Sequence, residues 1–319
     1  MFLFVCHNLL WVIRMFPVLL ILLMLVILLL LSFRMVFADP NLDPDPRHIS
    51  SSEQYQAVKD EILSFVDNIQ SYSYEAVEIQ SKDGLRLQGK LYVNDPKAPF
   101  ILGLHGYRSC PDRDCSGIFK IAQSRGMNLL LPDMRAHSRS QGNVISLGIN
   151  ERYDCRDWVD YILSRFGQDC SIVLFGCSMG AATVMMSCTM QPSQVKGLIC
   201  DCGYSSIKGI FYAVAHQKGL PPKPCYLLLK LSSKLLGRFD IEECSSVASL
   251  SQCQTPALFI HGTEDRFVPY YMAQENYDAC ASSNKRLLSV PGAGHGMSIY
   301  VDESSYTAAV NSFLDSLEL

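Results

Sequence analysis

The sequence has no run of lysine and arginine, and its net charge of −4 over 319 residues leaves no basic face for a polyanion, so nucleic acid is not an expected partner. It has no Cys-x-x-Cys pair and no clustered Cys/His spacing, so neither a structural zinc nor any other metal or cofactor is expected. Internal repeats and low-complexity tracts are also missing, which excludes a solenoid or an extended biased tail. Charge is absent altogether from Met15 to Phe33.

That uncharged stretch, MFPVLLILLMLVILLLLSF, explains why hydrophobic residues reach 49% in a chain with 18% charged residues. It is long enough for the roughly 20 residues that a bilayer-spanning helix needs, and Pro17 near its start does not veto a span. A secretory signal peptide competes, because Val36-Phe37-Ala38 offers small-residue spacing before a cut, but its apolar core of about 7–15 residues is shorter than this one. A buried soluble helix would leave no solvent face. The expectation is a single-pass N-terminal anchor, with secretion after cleavage as the alternative. Arg14 flanks one end and Arg34 and Arg47 the other, so basic residues do not fix which side the remainder occupies.

Thirteen cysteines suggest a disulfide scaffold only in short secreted chains with little core, which this is not. Cys177, Cys188, Cys200 and Cys202 fall in apolar stretches where a thiol acts as a small hydrophobe. Cys110 and Cys115, in a loop-like segment, are the best candidates for a bridge.

The chain divides into a flank (1–14), the apolar segment (15–33), a Pro/Asp/Asn/Ser-rich linker (34–52) and one large domain (53–319). The domain opens with a helix over 53–70, where Tyr55, Val58, Ile62, Phe65, Val66 and Ile69 recur at three- and four-residue spacing. Its polar face is acidic and mixed, so it is read as packed on the domain and not on a membrane surface. Short β-type runs then alternate with helical patterns: strands at 74–81, 85–93, 100–104, 128–132, 171–175, 197–201, 257–260 and 286–290, and helices at 116–125, 151–166, 179–190, 272–281 and 300–317. This predicts an α/β fold, a mostly parallel eight-stranded sheet with helices on both faces. Lys82-Asp83-Gly84 makes the first two strands an antiparallel hairpin. Runs such as SIVLF are apolar throughout, as strands buried on both faces must be. The helical insertion at 204–251, broken by prolines, is read as a small cap over the carboxyl end of the sheet, where ligands bind in open α/β sheets.

Gly176-Cys177-Ser178-Met179-Gly180 follows the strand SIVLF and precedes the small-residue helix start AATVMM. This context, more than the Gly-x-Ser-x-Gly pattern, predicts a strand-to-helix elbow presenting Ser178 as a nucleophile. A serine hydroxyl needs a base, and the base needs an orienting acid. His295, in the glycine-rich loop after the last strand, is the one histidine of seven downstream of the candidate acids. Asp265, just past the strand 257–260, is the expected acid, Asp201 its main rival and Glu264 third. His105 and His261 read as structural histidines bonded to backbone, and His137 as a backup base in a loop beside the site. The oxyanion of a tetrahedral intermediate needs two donors, expected from the backbone N–H groups of Met179 and Tyr107. The side chains of Tyr107 and Arg108 are read as touching either substrate or surface.

Together, HGYRS, ERYDCRDW, GCSMGAA, DCGYSS, HGTEDRFVP and GAGHG resemble the α/β-hydrolase superfamily from about Tyr72 to the end, and more narrowly bacterial single-pass serine hydrolases of mostly undefined substrate. The resemblance implies Ser178, Asp265 and His295 as nucleophile, acid and base, and lends weight to Tyr107 as an oxyanion donor. It selects no substrate. Hydrolysis of a carboxylic ester or thioester of a small or lipid-like acyl substrate is expected first, cleavage of a peptide bond by the same triad second, and a noncatalytic hydrolase-fold binding protein third.

Overall fold

A computed structural model describes residues 2–38 and 43–319, so Met1 of the flank and residues 39–42 of the expected linker lie outside the described residues. Helix α1 (Phe2–Val36) extends the apolar stretch at both ends, and its segment Met15–Val36, of mean hydropathy 3.1, is long and apolar enough to cross a membrane. Its side chains from Met15 to Leu28 are exposed on every side, which an aqueous environment does not tolerate over such an area. The end of α1 behaves differently. Phe33 and Val36 pack against the core, and the next residue, Phe37, is wholly buried, edge-on to Phe239 with ring centres 5.2 Å apart. The Phe37 carbonyl accepts the Ile145 N–H at 2.7 Å, and Ala38 bridges to Val144.

The helix expected over 53–70 is two helices, α2 (Glu53–Ala57) and α3 (Lys59–Gln70), broken at Val58 with φ −122° and ψ 22°. Their anchors differ. Ile62, Phe65, Val66 and Ile69 of α3 are buried in the domain, whereas the Tyr55 hydroxyl of α2 donates to the His295 carbonyl at 2.8 Å. The hairpin β1 (Glu75–Gln80) and β2 (Arg86–Tyr92) turns at Gly84, whose φ of +88° suits a residue without Cβ.

Next come β3 (Phe100–Leu104), α4 (Pro111–Asp114), α5 (Ser116–Ser124), β4 (Asn128–Pro132), α6 (Glu151–Phe166), β5 (Ile172–Cys177) and α7 (Met179–Ser187), which ends in a 3-10 turn, Cys188–Met190. After β6 (Val195–Asp201) the chain makes an excursion through α8 (Ile207–Gln217), α9 (Pro222–Ser232), a π-helical turn (Ser233–Gly237) and α10 (Ser246–Leu250). It returns with β7 (Ala257–Gly262), α11 (Tyr271–Ala279), β8 (Lys285–Val290), α12 (Ser298–Val301) and α13 (Glu303–Asp315). The last two replace one expected helix over 300–317, because Asp302 leaves helical geometry and its side chain caps α13 by accepting the Ser305 N–H at 2.9 Å.

The eight strands form one sheet in the order β1-β2-β4-β3-β5-β6-β7-β8, with β2 antiparallel to both neighbours and the other pairings parallel. This is the expected α/β architecture. Strands β3, β4, β5 and β7 are buried along their whole length, as sheets covered on both faces require. One face packs under α6, α7 and the excursion around Trp158 and Phe259, and the other under α5 and α13 around Phe119, Tyr306 and Phe313. Cys110 and Cys115 are not bridged: both are buried free thiols, and Cys115 Sγ is turned onto β3, 3.3 Å from where a Cβ on Gly103 would stand.

Deleting the Phe37 ring leaves a cavity where α1 meets the domain. Phe37→Ala is expected to cost about 3–5 kcal/mol, measured by denaturation of the full chain in detergent.

Candidate active site

At the end of β5, Ser178 adopts φ 55° and ψ −114°, a conformation that L-residues occupy only at a cost of roughly 1–3 kcal/mol. Backbone bonds hold it there. The Ser178 N–H donates to the Asp201 carbonyl at 2.8 Å, and its own carbonyl accepts the Ala182 N–H at 3.0 Å in the first turn of α7. Two glycines make the turn sterically feasible: a Cβ on Gly176 would stand 2.3 Å from the Gly180 backbone, and one on Gly180 would stand 2.1 Å from the Leu104 carbonyl oxygen. The sequence pattern is therefore a packing requirement between β5, α7 and β3.

His295 Nε2 lies 2.9 Å from Ser178 Oγ, and its Nδ1 lies 2.7 Å from Asp265 Oδ2. The three residues, 117 and 30 positions apart, form one hydrogen-bonded line. Asp265 is buried yet well supplied with donors. Its Oδ1 accepts the N–H groups of Phe267 at 2.9 Å and Val268 at 2.8 Å. His261 Nε2 lies 3.2 Å from Oδ2 while donating to the Val268 carbonyl at 2.8 Å. Burial alone would raise the Asp265 pKa, but the positive potential and hydrogen bonds of His295 and His261 outweigh it, and the carboxyl is held well below the usual range. For His295, burial disfavours the cation, but the charge and hydrogen bond of Asp265 prevail and its pKa is raised above that of free imidazole. The ring of Phe267 stands 5.0 Å from the imidazole.

Asp201 is placed differently from its rival. Its Oδ2 accepts the Tyr306 hydroxyl at 3.0 Å, and burial pushes its pKa up to about 6. Glu264 is exposed. The remaining histidines shape the loop after β3. His105 Nδ1–H donates to the Gly106 carbonyl while its Nε2 accepts the Met134 N–H at 3.0 Å. His137 Nδ1–H donates to the Arg135 carbonyl, and its Nε2 accepts the Arg108 N–H at 3.1 Å. Burial, helped by the neighbouring His105, lowers the His137 pKa to about 4, so it stays neutral and can accept. With the Gly106 N–H donating to Asp114 Oδ2 at 2.7 Å, the amides on either side of Tyr107 are committed to holding this loop over Ser178. The side chains of Tyr107 and Arg108 reach α1, donating to the Val36 carbonyl at 2.9 Å and the Met35 carbonyl at 3.2 Å.

Cys202, Asp265 and His295 each offer one donor atom within 4.8 Å of the others. Burial pushes the Cys202 thiol well up, which keeps it protonated, and both imidazole nitrogens are already engaged, so the cluster offers a cation neither a thiolate nor a free imidazole nitrogen. Ser178 and His295 open onto a cavity of about 850 Å³, walled in part by Ile118, Phe175, Ile299 and Tyr300 and roofed by the segment His48–Tyr55. That roof had no signal in the sequence. Tyr55 counts there as one more apolar position of a helix, and only the fold brings its hydroxyl to the carbonyl of His295, 240 residues away.

Residues 116–317 match the prolyl oligopeptidase family, well over half of the chain. The chain belongs to the prolyl oligopeptidase family. Hydrolysis is the reaction class of this family. YqkD of Bacillus subtilis is 27% identical over 60% of this chain, and the match spans 63% of YqkD, slightly under two thirds of its length. The membrane protein YNL320W of Saccharomyces cerevisiae is 23% identical over 76% of this chain and 79% of its own. Relatives of this family member thus occur in a yeast as well as in bacteria. The Pyrococcus furiosus esterase Pf2001 superposes with a TM-score of 0.64 at 20% identity, covering 86% of this chain and 99% of that one, so the fold is that of an α/β hydrolase.

Because the elbow has no room for one more methyl group, Gly180→Ala should unfold or displace the β5–α7 turn. A drop in melting temperature with a perturbed near-ultraviolet spectrum is expected, and an unchanged melting curve would contradict the packing argument.

Proposed function

We propose that the protein is a serine hydrolase that cleaves a carboxylic ester or thioester through an acyl-enzyme on Ser178. The observation that carries this is the unbroken line Ser178 Oγ, His295 Nε2, His295 Nδ1, Asp265 Oδ2, at 2.9 and 2.7 Å. In the first half-reaction His295 takes the Ser178 proton as Oγ attacks the carbonyl carbon, and returns it to the leaving alcohol or thiol as the tetrahedral intermediate collapses. In the second, His295 deprotonates a water that attacks the acyl-enzyme, and the released acid frees Ser178. Asp265, acceptor of backbone and imidazole donors, stays ionised, keeps the Nδ1–H tautomer and stabilises the imidazolium. The amides of Met179, at the start of α7, and of Tyr107 are the proposed oxyanion donors. Asp201 is assigned a supporting role through Tyr306 and not that of the triad acid.

The wall is mixed: Ile118, Phe175 and Ile299 suit an acyl chain, while Arg113, Asp114 and Arg266 line the same cavity. Peptide-bond cleavage is the second reading, favoured by the family itself. Turnover of p-nitrophenyl esters without turnover of peptide amides supports the first, and the reverse supports the second.

We further propose that α1 is retained as a single-pass anchor with residues 53–319 forming the hydrolase domain and the excursion after β6 its cap. Cleavage after Ala38 would remove Phe37 from the core and detach the carbonyls of Met35 and Val36 from the loop after β3.

Ser178→Ala should abolish labelling by a fluorophosphonate and lower kcat about 10⁶-fold; retention of both contradicts the assignment. The raised pKa of His295 sets the pH profile: the neutral base is lost as pH falls through a value above the ordinary imidazole pKa of about 6.5. The acid limb of kcat/KM should therefore lie above that value. Asp265→Asn, which removes the charge that raises it, should move the limb down and lower kcat by about 10⁴-fold. An unmoved limb would contradict the role given to Asp265.

A further inference from the structure

Helix α9 has two unlike faces. Tyr226, Leu229 and Ser232 are buried, whereas Leu227, Leu231 and Leu235 follow at four-residue intervals into the π-helical turn and are 57%, 37% and 65% exposed. Residues so spaced line one side of a helix. Leu220, before α9, and Leu236, after Leu235, are exposed as well. A run of uncovered leucines of this kind marks a contact surface, and its position identifies the contact.

The helix packs alongside α1. A Cβ on Gly237 would stand 3.0 Å from the ring of Phe33, and Phe239 closes on Phe37. The leucine face thus sits beside the end of a helix whose remaining apolar surface has no place except in lipid. Charge agrees with this position, since Lys218, Lys223 and Arg238 flank the leucines and make no ion pair among the described residues, as suits phosphate headgroups.

The cavity shares these boundaries. Gln217 lines it and leads directly into the exposed turn Lys218-Gly219-Leu220. Tyr107 and Arg108 line it elsewhere and are bonded to the last carbonyls of α1. Two stretches of its rim therefore adjoin membrane-facing elements.

We propose that the leucine face of α9 rests in the bilayer that α1 enters, and that the cavity takes its acyl ester from that bilayer and not from water. The second half rests on the serine-hydrolase reading, and the first does not.

The full chain carrying Leu231→Trp, reconstituted in phosphatidylcholine vesicles containing phosphatidylserine, tests the first half. Acyl-brominated phosphatidylcholine should quench the added emission beyond any quenching of the parent's two tryptophans. Emission open to acrylamide but not to the brominated lipid would overturn the proposal, as would emission shielded from both quenchers, which would assign the face to a second copy of this chain. The exposed-face variant Leu227→Gln/Leu231→Gln/Leu235→Gln tests the second half. It should hydrolyse a water-soluble short-chain ester as the parent does and lose about tenfold on a long-chain ester embedded in the vesicles. Equal rates on both substrates, or equal losses on both, would overturn lipid delivery. Should fluorophosphonate fail to label Ser178 in the parent, the hydrolase reading falls and lipid delivery with it, while the quenching result still decides the docking of α9.

Discussion

The fold and the site both turn on one constrained residue. Ser178 must leave β5 with a positive φ and enter α7 at once, in a space where neither Gly176 nor Gly180 has room for a Cβ. The strain there is sustained because β5 lies at the middle of the sheet with β3 and β6 on either side, and because its backbone is bonded into both β6 and α7. A sheet with a looser centre would relax this turn and lower the hydroxyl back among its neighbours.

Around that residue, electrostatics are arranged in a gradient. Asp265 accepts two backbone amides and the His295 imidazole, with His261 alongside, and stays anionic in a buried position; His295 beside it becomes more basic; Asp201 is pushed the other way by burial, against the hydrogen bond from Tyr306. The proposed chemistry needs this division, because a fixed anion behind the imidazole stabilises its cation in a largely buried position. The loop after β3 is held with similar economy, by two neutral histidines and Asp114 below it and by the final turn of α1 above. The end of α1 and the site are consequently parts of one packed body.

Much of this was legible in the residues. Apolar runs flanked by turn signals marked all eight strands, and three of them, β3, β4 and β7, begin at the residue expected, because strands buried on both faces leave little ambiguity. The glycines around Ser178 and the order serine, acid, histidine pointed to residues that the fold brings into hydrogen-bonding distance. Choosing between Asp265 and Asp201 was harder: each ends or follows a strand, and the distinction lies in Tyr306, far downstream in sequence. The break at Val58, the clasp of Tyr55 on the His295 loop and the burial of Phe37 were invisible, since each depends on a contact across the fold and leaves no period in the sequence. The pairing suggested for Cys110 and Cys115 failed for a similar reason: spacing says nothing of the direction in which Cys115 points.

In the proposed reaction one hydroxyl, that of Ser178, is transiently acylated. Mixing the protein with an activated ester, quenching in acid within the first turnover and mapping the peptides by mass spectrometry tests this directly. The expected result is a single acyl adduct on the peptide containing Ser178, appearing and decaying at the rate of product release. Turnover with no adduct, or with the acyl group on another side chain, would contradict it.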